Sequence, residues 1–395
     1  MTTTVRATAL EVLIHDGADW QYDASAYAVT CSFGFDQHQA EATVRRTGGG
    51  AVAVNYWSRV QISMGATPGA GAALRFAGYV VPIDNQAYPV DNVLQCKGVL
   101  YRAAWVRNLA SGGTRMAPAT VGAPDEDQVM AILDACGVPY TASHIGGTGK
   151  ALGSVFIDTA TPLDNGPFVW EEGQAGLDYI ERLDQISVPD AGGGAYRTVE
   201  SLGGDVFRIP VSTLPAAVAE FSFTEGVDVL EARITRDPAG AANRVTVTGA
   251  PSPENFETVP NSLTVRFGAQ CKFSVVSVFA PYLPAGLPAG PSGHPEVAYA
   301  FASPMIEKST IAQPGDVISC QAVADYLLGE YNTVVDTLEF STPRDDLLGP
   351  GQTVHLDSPR LGLTDPERHY WVQHLEVTLD ERGAFTQRLR CLRRS

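Results

Sequence analysis

Gly146-Gly147-Thr148-Gly149-Lys150 is the run whose residue types come nearest to a phosphate-binding loop. Such a loop cradles anions with successive backbone N–H groups. Its full form sets a glycine five residues ahead of the Gly-Lys pair and a Ser or Thr behind it. His144 and Ala151 occupy those places and no strong apolar strand leads in, so the run reads as a turn. Gly290-Pro291-Ser292-Gly293-His294 fails as a nucleophile elbow, because its second glycine falls one residue early and no strand or helix flanks it.

Metal and acid–base chemistry fare no better. His369 and His374 bracket one run at a separation of five, which in a regular strand places them on opposite faces. His15, His38, His144, His294 and His355 have no partner at metal-ligand spacing. Paired carboxylates occur at Asp125/Asp127, Glu171/Glu172 and Asp345/Asp346. Glycoside hydrolysis needs two carboxyl groups a set distance apart in one cleft, whereas adjacent acids ordinarily belong to turns and helix starts. Cys31, Cys96, Cys136, Cys271, Cys320 and Cys391 are scattered without a Cys-x-x-Cys pair and are expected to be buried thiols. The sequence therefore assigns no catalytic, cofactor-binding or metal-ligating residue.

A chain of 395 residues exceeds one ordinary core. With 45% apolar and 18% charged residues it is a folded, soluble protein, and 39 Gly and 26 Pro favour a β-rich, turn-rich architecture. A formal charge of −17 argues against stable nucleic-acid binding, which needs a basic face for the phosphates. The first twenty residues show no signal-peptide pattern, and no apolar run approaches a membrane span.

The last sixty-odd residues alternate as an antiparallel β unit. TVVDTLEFST, TVHLDSP, HYWVQHLEVTLD and FTQRLRCLRR are its four strands, the last two joined around Glu381-Arg382-Gly383. Seven runs between residue 5 and about 107 are expected as strands, including AVAVNYW and NVLQCKGVLYRAAWV, with Gly78 marking a bulge or bend. A helix is expected from Asp125, with Asp125 as its cap and Val129, Ile132, Leu133 and Cys136 on its apolar face before Gly137 and Pro139 end it. A second runs from about Gln174 to Ile186, with Leu177, Ile180 and Leu183 inward and Glu181, Arg182 and Asp184 outward. A hairpin follows around Gly203-Gly204, then strands in DVLEARITRD and NRVTVTGAP, a Pro/Gly-rich arm near 280–314, and a third helix in DVISCQAVADYLLGEYN.

The series YAVTCSFGFDQHQAEATVRR with LRFAGYVVPIDNQAYPVDNVLQCKGVLYRA, then VMAILDACGVPY, GLDYIERLDQI and AYRTVESLGGDVFRI, then LEARITRDPAGAANRVTVTGAP, and finally LLGPGQTVHLDSP with HYWVQHLEVTLDERGAFTQRLRCLR, resembles the phage tail hub proteins. That group includes baseplate hubs of contractile tails, late control protein D, the hub-like part of type VI spike proteins and the corresponding proteins of long non-contractile tails. The resemblance covers most of the chain and departs in the Pro/Gly-rich arm.

It implies an α+β, mainly β chain with two tube-like antiparallel β-barrel domains. Residues 1–110 would form the first and residues 219–250 with 331–395 the second, with a small mixed α/β domain at 111–218 and an insertion at 251–330 carrying the arm and a helix. It implies a structural virion protein of a bacteriophage tail tip or baseplate, made in the host cytoplasm, that is no enzyme and carries no cofactor. As a homotrimer it would adapt a sixfold tail tube on one side to a threefold tip, spike or fibre on the other. Phage DNA would meet it only in transit during ejection, through a channel lined by part of the negative charge. The alternatives are a β-rich tail-associated glycan hydrolase, or a tail-tip protein holding an iron–sulfur cluster through Cys31, Cys96 and Cys391.

Overall fold

A computed structural model describes residues 10–35, 37, 39–47, 54–65, 72–84, 92–107, 124–149, 173–186, 196–237, 244–248, 270–273, 307–311 and 335–394. The N-terminal region supplies β1 (Leu10–His15), β2 (Trp20–Tyr22), β3 (Ala26–Gly34), β4 (Glu41–Arg46), β5 (Arg59–Met64), β6 (Ala73–Asp84) and β7 (Asn92–Gly98). Helices α1 (Tyr101–Trp105), α2 (Asp125–Cys136) and α3 (Gly176–Ile186) lead to the hairpin β8 (Tyr196–Glu200) and β9 (Val206–Pro210). The remainder holds β10 (Phe221–Thr224), β11 (Glu231–Asp237), β12 (Arg244–Thr248), β13 (Gln270–Phe273) and β14 (Glu307–Ile311). It closes with β15 (Val335–Thr342), β16 (Thr353–Asp357), β17 (His369–Leu379) and β18 (Phe385–Arg394).

The fold is mainly β. Thirteen strands share one sheet, with the main order β11-β15-β18-β17-β3-β4-β7-β6-β5-β1-β2, β16 beside β17 and β10 beside β16. Its pairings are antiparallel except for β10 with β16. The two β regions of the sequence meet where β17 pairs with β3, from His374 opposite Gly34 to Leu379 opposite Val29. Alternation supplies one core on both sides of that seam: Val29, Cys31 and Phe33 of β3 join Leu375, Val377 and Leu379 of β17 in a single buried cluster. Each fully buried side chain of this kind contributes about 1.5–3 kcal/mol relative to exposure. Strand β12, which alternates like a member of this sheet, instead pairs with β13 and β14 in a separate three-stranded sheet.

A second bond crosses the seam. Ile62 pairs with Phe76 but Ser63 pairs with Leu74, so Arg75 is an extra residue in β6. A bulge of this kind turns two consecutive side chains to one face, and Arg75 and Phe76 are both fully buried. The Arg75 guanidinium binds the Asp345 carboxylate and donates to the Asp346 carbonyl at 2.8 Å, tying the loop after β15 to the first β region. Gly78, expected as the bulge, has another cause. A Cβ there would lie 2.1 Å from the Lys97 carbonyl oxygen, so the close approach of β6 and β7 requires glycine.

Four further expectations change. The run NVLQCKGVLYRAAWV leaves the strand state at Gly98 and turns into α1, and Tyr56-Trp57 of AVAVNYW form a turn. Asp125 is the first helical residue and no cap; Pro124 holds the cap position. Asp184 of α3 is buried, not outward. The last two share one reason, Arg208 of β9. Its Nη1 donates to Asp125 at 2.7 Å and to the Gly146 carbonyl at 2.8 Å, and its Nε donates to Asp184 at 2.8 Å. Thr148 N–H and hydroxyl complete Asp125, and those of Thr198 complete Asp184. The guanidinium also lies 4.5 Å above the Tyr196 ring. Around this charge α2, α3 and the β8–β9 hairpin enclose their own apolar cluster, including Val129, Ile132, Leu133, Leu177, Ile180 and Leu183. The third expected helix and most of the Pro/Gly-rich arm lie outside the described residues.

Arg208→Met would leave two buried carboxylates facing each other without a cation. A loss of about 3–5 kcal/mol in unfolding free energy is expected by urea titration. Asp184→Asn, which keeps the shape and one charge pair, should cost clearly less.

Candidate interaction surface

The groups that resembled chemistry in the sequence are engaged elsewhere. Two amides of the Gly146–Gly149 run serve the helix start, Gly149 N–H donating to Glu126 and Thr148 N–H to Asp125, while Gly146 N–H donates to the Arg208 carbonyl of β9. Asp125 and Asp127 part company, the first buried on Arg208 and the second exposed. Asp345 binds Arg75 and Asp346 binds Arg344 at 2.8 Å. Glu171, Glu172, Ser292 and His294 lie outside the described residues.

His369 and His374 share a face, against expectation. A register shift between Val372 and His374 reverses the alternation, so inward Tyr370 and Val372 are followed by inward Leu375 and Val377. They still have different neighbours: His369 meets His355 across strands, ring centroids 6.1 Å apart, and His374 meets Ser32 at 3.4 Å. Cys31 and Cys96 flank Ala42 of β4 and lie near each other, but Cys31 stands opposite Val377 of β17 while Cys391 stands opposite Val372, so the three thiols do not converge. Burial raises the thiols, Cys96 to about 12 and Cys136 to about 11, which opposes the thiolate form a cluster needs.

What the fold does assemble is an aromatic cleft of about 1070 Å³ between β2, β5 and β6 on one side and α1 with the end of α2 on the other. Trp57 is its centre. Its ring stacks on Tyr101 at 5.7 Å and meets Tyr79 and Trp105 edge-on at 5.5 and 5.8 Å. Trp57 N–H donates to the Val80 carbonyl and Ser58 N–H to Asn55, which hold the turn against β6 with Trp57 at φ +67°. A bulky residue in that region stores on the order of 1–3 kcal/mol of strain. Trp105 remains 58% exposed and Trp57 39%. Trp20 carries the Arg59 guanidinium 5.7 Å over its ring. Tyr101 and Trp105 stand four apart, a helical spacing, but the strand expectation for that run hid it.

Helix α1 is seated by Glu200 at the end of β8. This buried carboxylate accepts N–H groups from Val99 at 2.8 Å, Leu100 at 3.2 Å and Ala40 at 3.3 Å. A Cβ at position 98 would strike it, so Gly98 is fixed by the same contact. Burial pushes the carboxyl up to about 8, outweighing the three N–H donors.

The opposite resource is polar. At the β11 end the sheet presents a shallow depression of about 490 Å³ whose Glu231, Glu339 and Glu376 balance Arg233, Arg388 and Arg390. Arg233 pairs with Glu339 at 2.5 Å on the surface. Surface pairs of this kind contribute little individually.

The fold is similar to that of solved phage tail proteins. Over 97% of this chain and 98% of the other, it superposes on the 43 kDa tail protein of prophage MuSo2 from Shewanella oneidensis, with a TM-score of 0.60 and 8% identity. The tail protein from Neisseria meningitidis MC58 gives 0.57 at 8% identity, over 97% and 96% of the two chains. The prophage tail protein gp18 from Listeria monocytogenes gives 0.53 at 10% identity, over 96% and 94%. No protein-family model matches the chain, and no curated protein matches its sequence.

Because the folded state keeps the Glu200 proton above the ordinary value of 4.5, the contribution of this group is greatest below pH 4.5 and falls as pH rises toward 8. Relative to Glu200→Gln, the natural chain should lose up to about 1.4 kcal/mol per pH unit across that window. Urea unfolding at pH 5, 6.5 and 8 reads the difference. A constant difference would return the carboxyl to an ordinary pKa.

Proposed function

We propose that this chain is a structural tail protein of a phage or phage-like particle, a homotrimeric hub between tail tube and tail tip. The observation that carries this reading is the length of the likeness, 97% of this chain against 98% of the MuSo2 tail protein. In the proposed arrangement residues 1–110 form one tube-like unit, and 219–250 with 331–395 the other. Residues 111–218 are the α/β unit, and 251–330 the insertion. Two such β units per chain give three chains six sheet segments, which lets a threefold assembly meet a sixfold tube. The pairing of β3 with β17 supports this, since it joins the two β regions in one sheet.

DNA is proposed to pass along the polar face of the sheet. Its glutamates and arginines balance near β11, so the wall would be close to neutral there and not acidic as the resemblance implies. A wall without a net positive charge does not hold phosphates by counterion release. Tube or distal tail proteins on one side and tip, spike or fibre proteins on the other are the proposed partners. The role is non-enzymatic, in keeping with the engagement of Asp125, Asp345 and Asp346 in internal ion pairs.

Light scattering of the purified chain should give about three times the 42.0 kDa monomer mass. Electron images of the same sample should show a threefold ring with an open centre. A monomer at every concentration, or cleavage of cell-wall polymer abolished by one carboxylate substitution, would overturn this function.

A further inference from the structure

We propose that the aromatic cleft receives the β10–β11 turn of a second copy of this chain. The joint is head-to-tail: Leu230 packs against the exposed surfaces of Trp57 and Trp105, and Glu231 meets Arg102. It rests on the trimeric reading above and names the surfaces that would close the ring. The cleft lies toward the β2 end of the strand order and the turn at the β11 end, so repetition of one contact joins copies in a circle or filament.

The turn is built as a projection. Glu225 accepts from Arg360 and from Ser358, and Asp228 accepts from Thr224 N–H and lies 3.7 Å from Arg344. Leu230 N–H is held by the Ser341 carbonyl. With Val229 tucked into the core, Val227 and Leu230 stay 77% and 65% exposed on a pinned backbone. Two aliphatic side chains held in water by fixed ion pairs fit an interface better than a free surface.

The cleft is built as the receiver. Its Trp, Tyr and Arg residues are the types that dominate interface energetics. Of its carboxylates, Asp134 already accepts from the Tyr140 hydroxyl at 3.1 Å, and Asp205 pairs with His144 at 2.9 Å. Arg102 has no ion-pair partner among the described residues, and neither has Glu231 beside Leu230. The signs are therefore complementary across the proposed contact.

The full chain is compared by light scattering over a concentration series as the natural form, Glu231→Arg, Arg102→Glu and the two together, with circular dichroism to check folding. Both residues are exposed. Each single variant should assemble roughly tenfold more weakly, and the double form should recover. Trimers of unchanged strength in all four forms, or weakening without recovery, overturn the contact and leave the hub standing. A natural chain that stays monomeric overturns both.

An independent check covers variants that fail to fold. Leu230→Cys combined with Trp105→Cys should give covalent oligomers on mild oxidation, while neither single change does. Covalent products absent from the double variant would count against the contact.

Discussion

The pairing of β17 with β3 is the constraint on which the remaining architecture depends. It joins residues 374–379 to residues 29–34, so the end of the chain must return to its beginning before either β region is complete. A pairing so distant in sequence gives up its closure entropy before it gains any contact. The compensation is that both regions then bury their inward rows in one cluster, which neither could close alone. Arg75 reinforces the joint from a position that only a bulge makes available, reaching Asp345, 270 residues on.

Three buried ionisable groups mark places where elements distant in sequence meet. Arg75 ties β6 to the loop after β15, Arg208 ties the starts and ends of two helices to β9, and Glu200 ties β8 to the first turn of α1. Buried ion pairs add little stability over an apolar substitute, but breaking one is severe, so they act chiefly against alternative arrangements. For a chain with so many similar short strands, that is the useful property. It also accounts for the carboxylates that imitate an active site, since their oxygens are spent on internal guanidinium and amide groups.

Patterns with a local cause were legible in the sequence. Alternation gave the four closing strands and the hairpin at Asp380–Ala384, and helical spacing with Gly137 gave α2 its end. What failed depended on a distant partner. Asp125 looks like a cap because capping is judged from four neighbouring residues, whereas its partner Arg208 is 83 positions away. Asp184 looks solvent-facing by the same logic. The bulges at Arg75 and between Val372 and His374 reverse the parity on which every face assignment in a strand relies. Helix α1 was hidden because Val99, Tyr101 and Trp105 have strand-like types. Its start is set by Glu200, a hundred residues later.

The same division explains why the cleft carries no chemical motif. The carboxylates at Asp125, Asp345 and Asp346 are engaged in the joints. The cleft is instead dominated by aromatic rings and guanidinium groups, with Asp134 and Asp205 already engaged by Tyr140 and His144, and it binds by area and by charge. Trp57 states the case most directly. A residue held at φ +67° by backbone hydrogen bonds, with its ring meeting three other aromatic side chains, is strained locally in order to present a surface. In the proposed head-to-tail assembly that strain would lie at the contact between copies, where a small fixed projection and a fixed cleft would set the angle between them. A ring closes only if that angle is rigid.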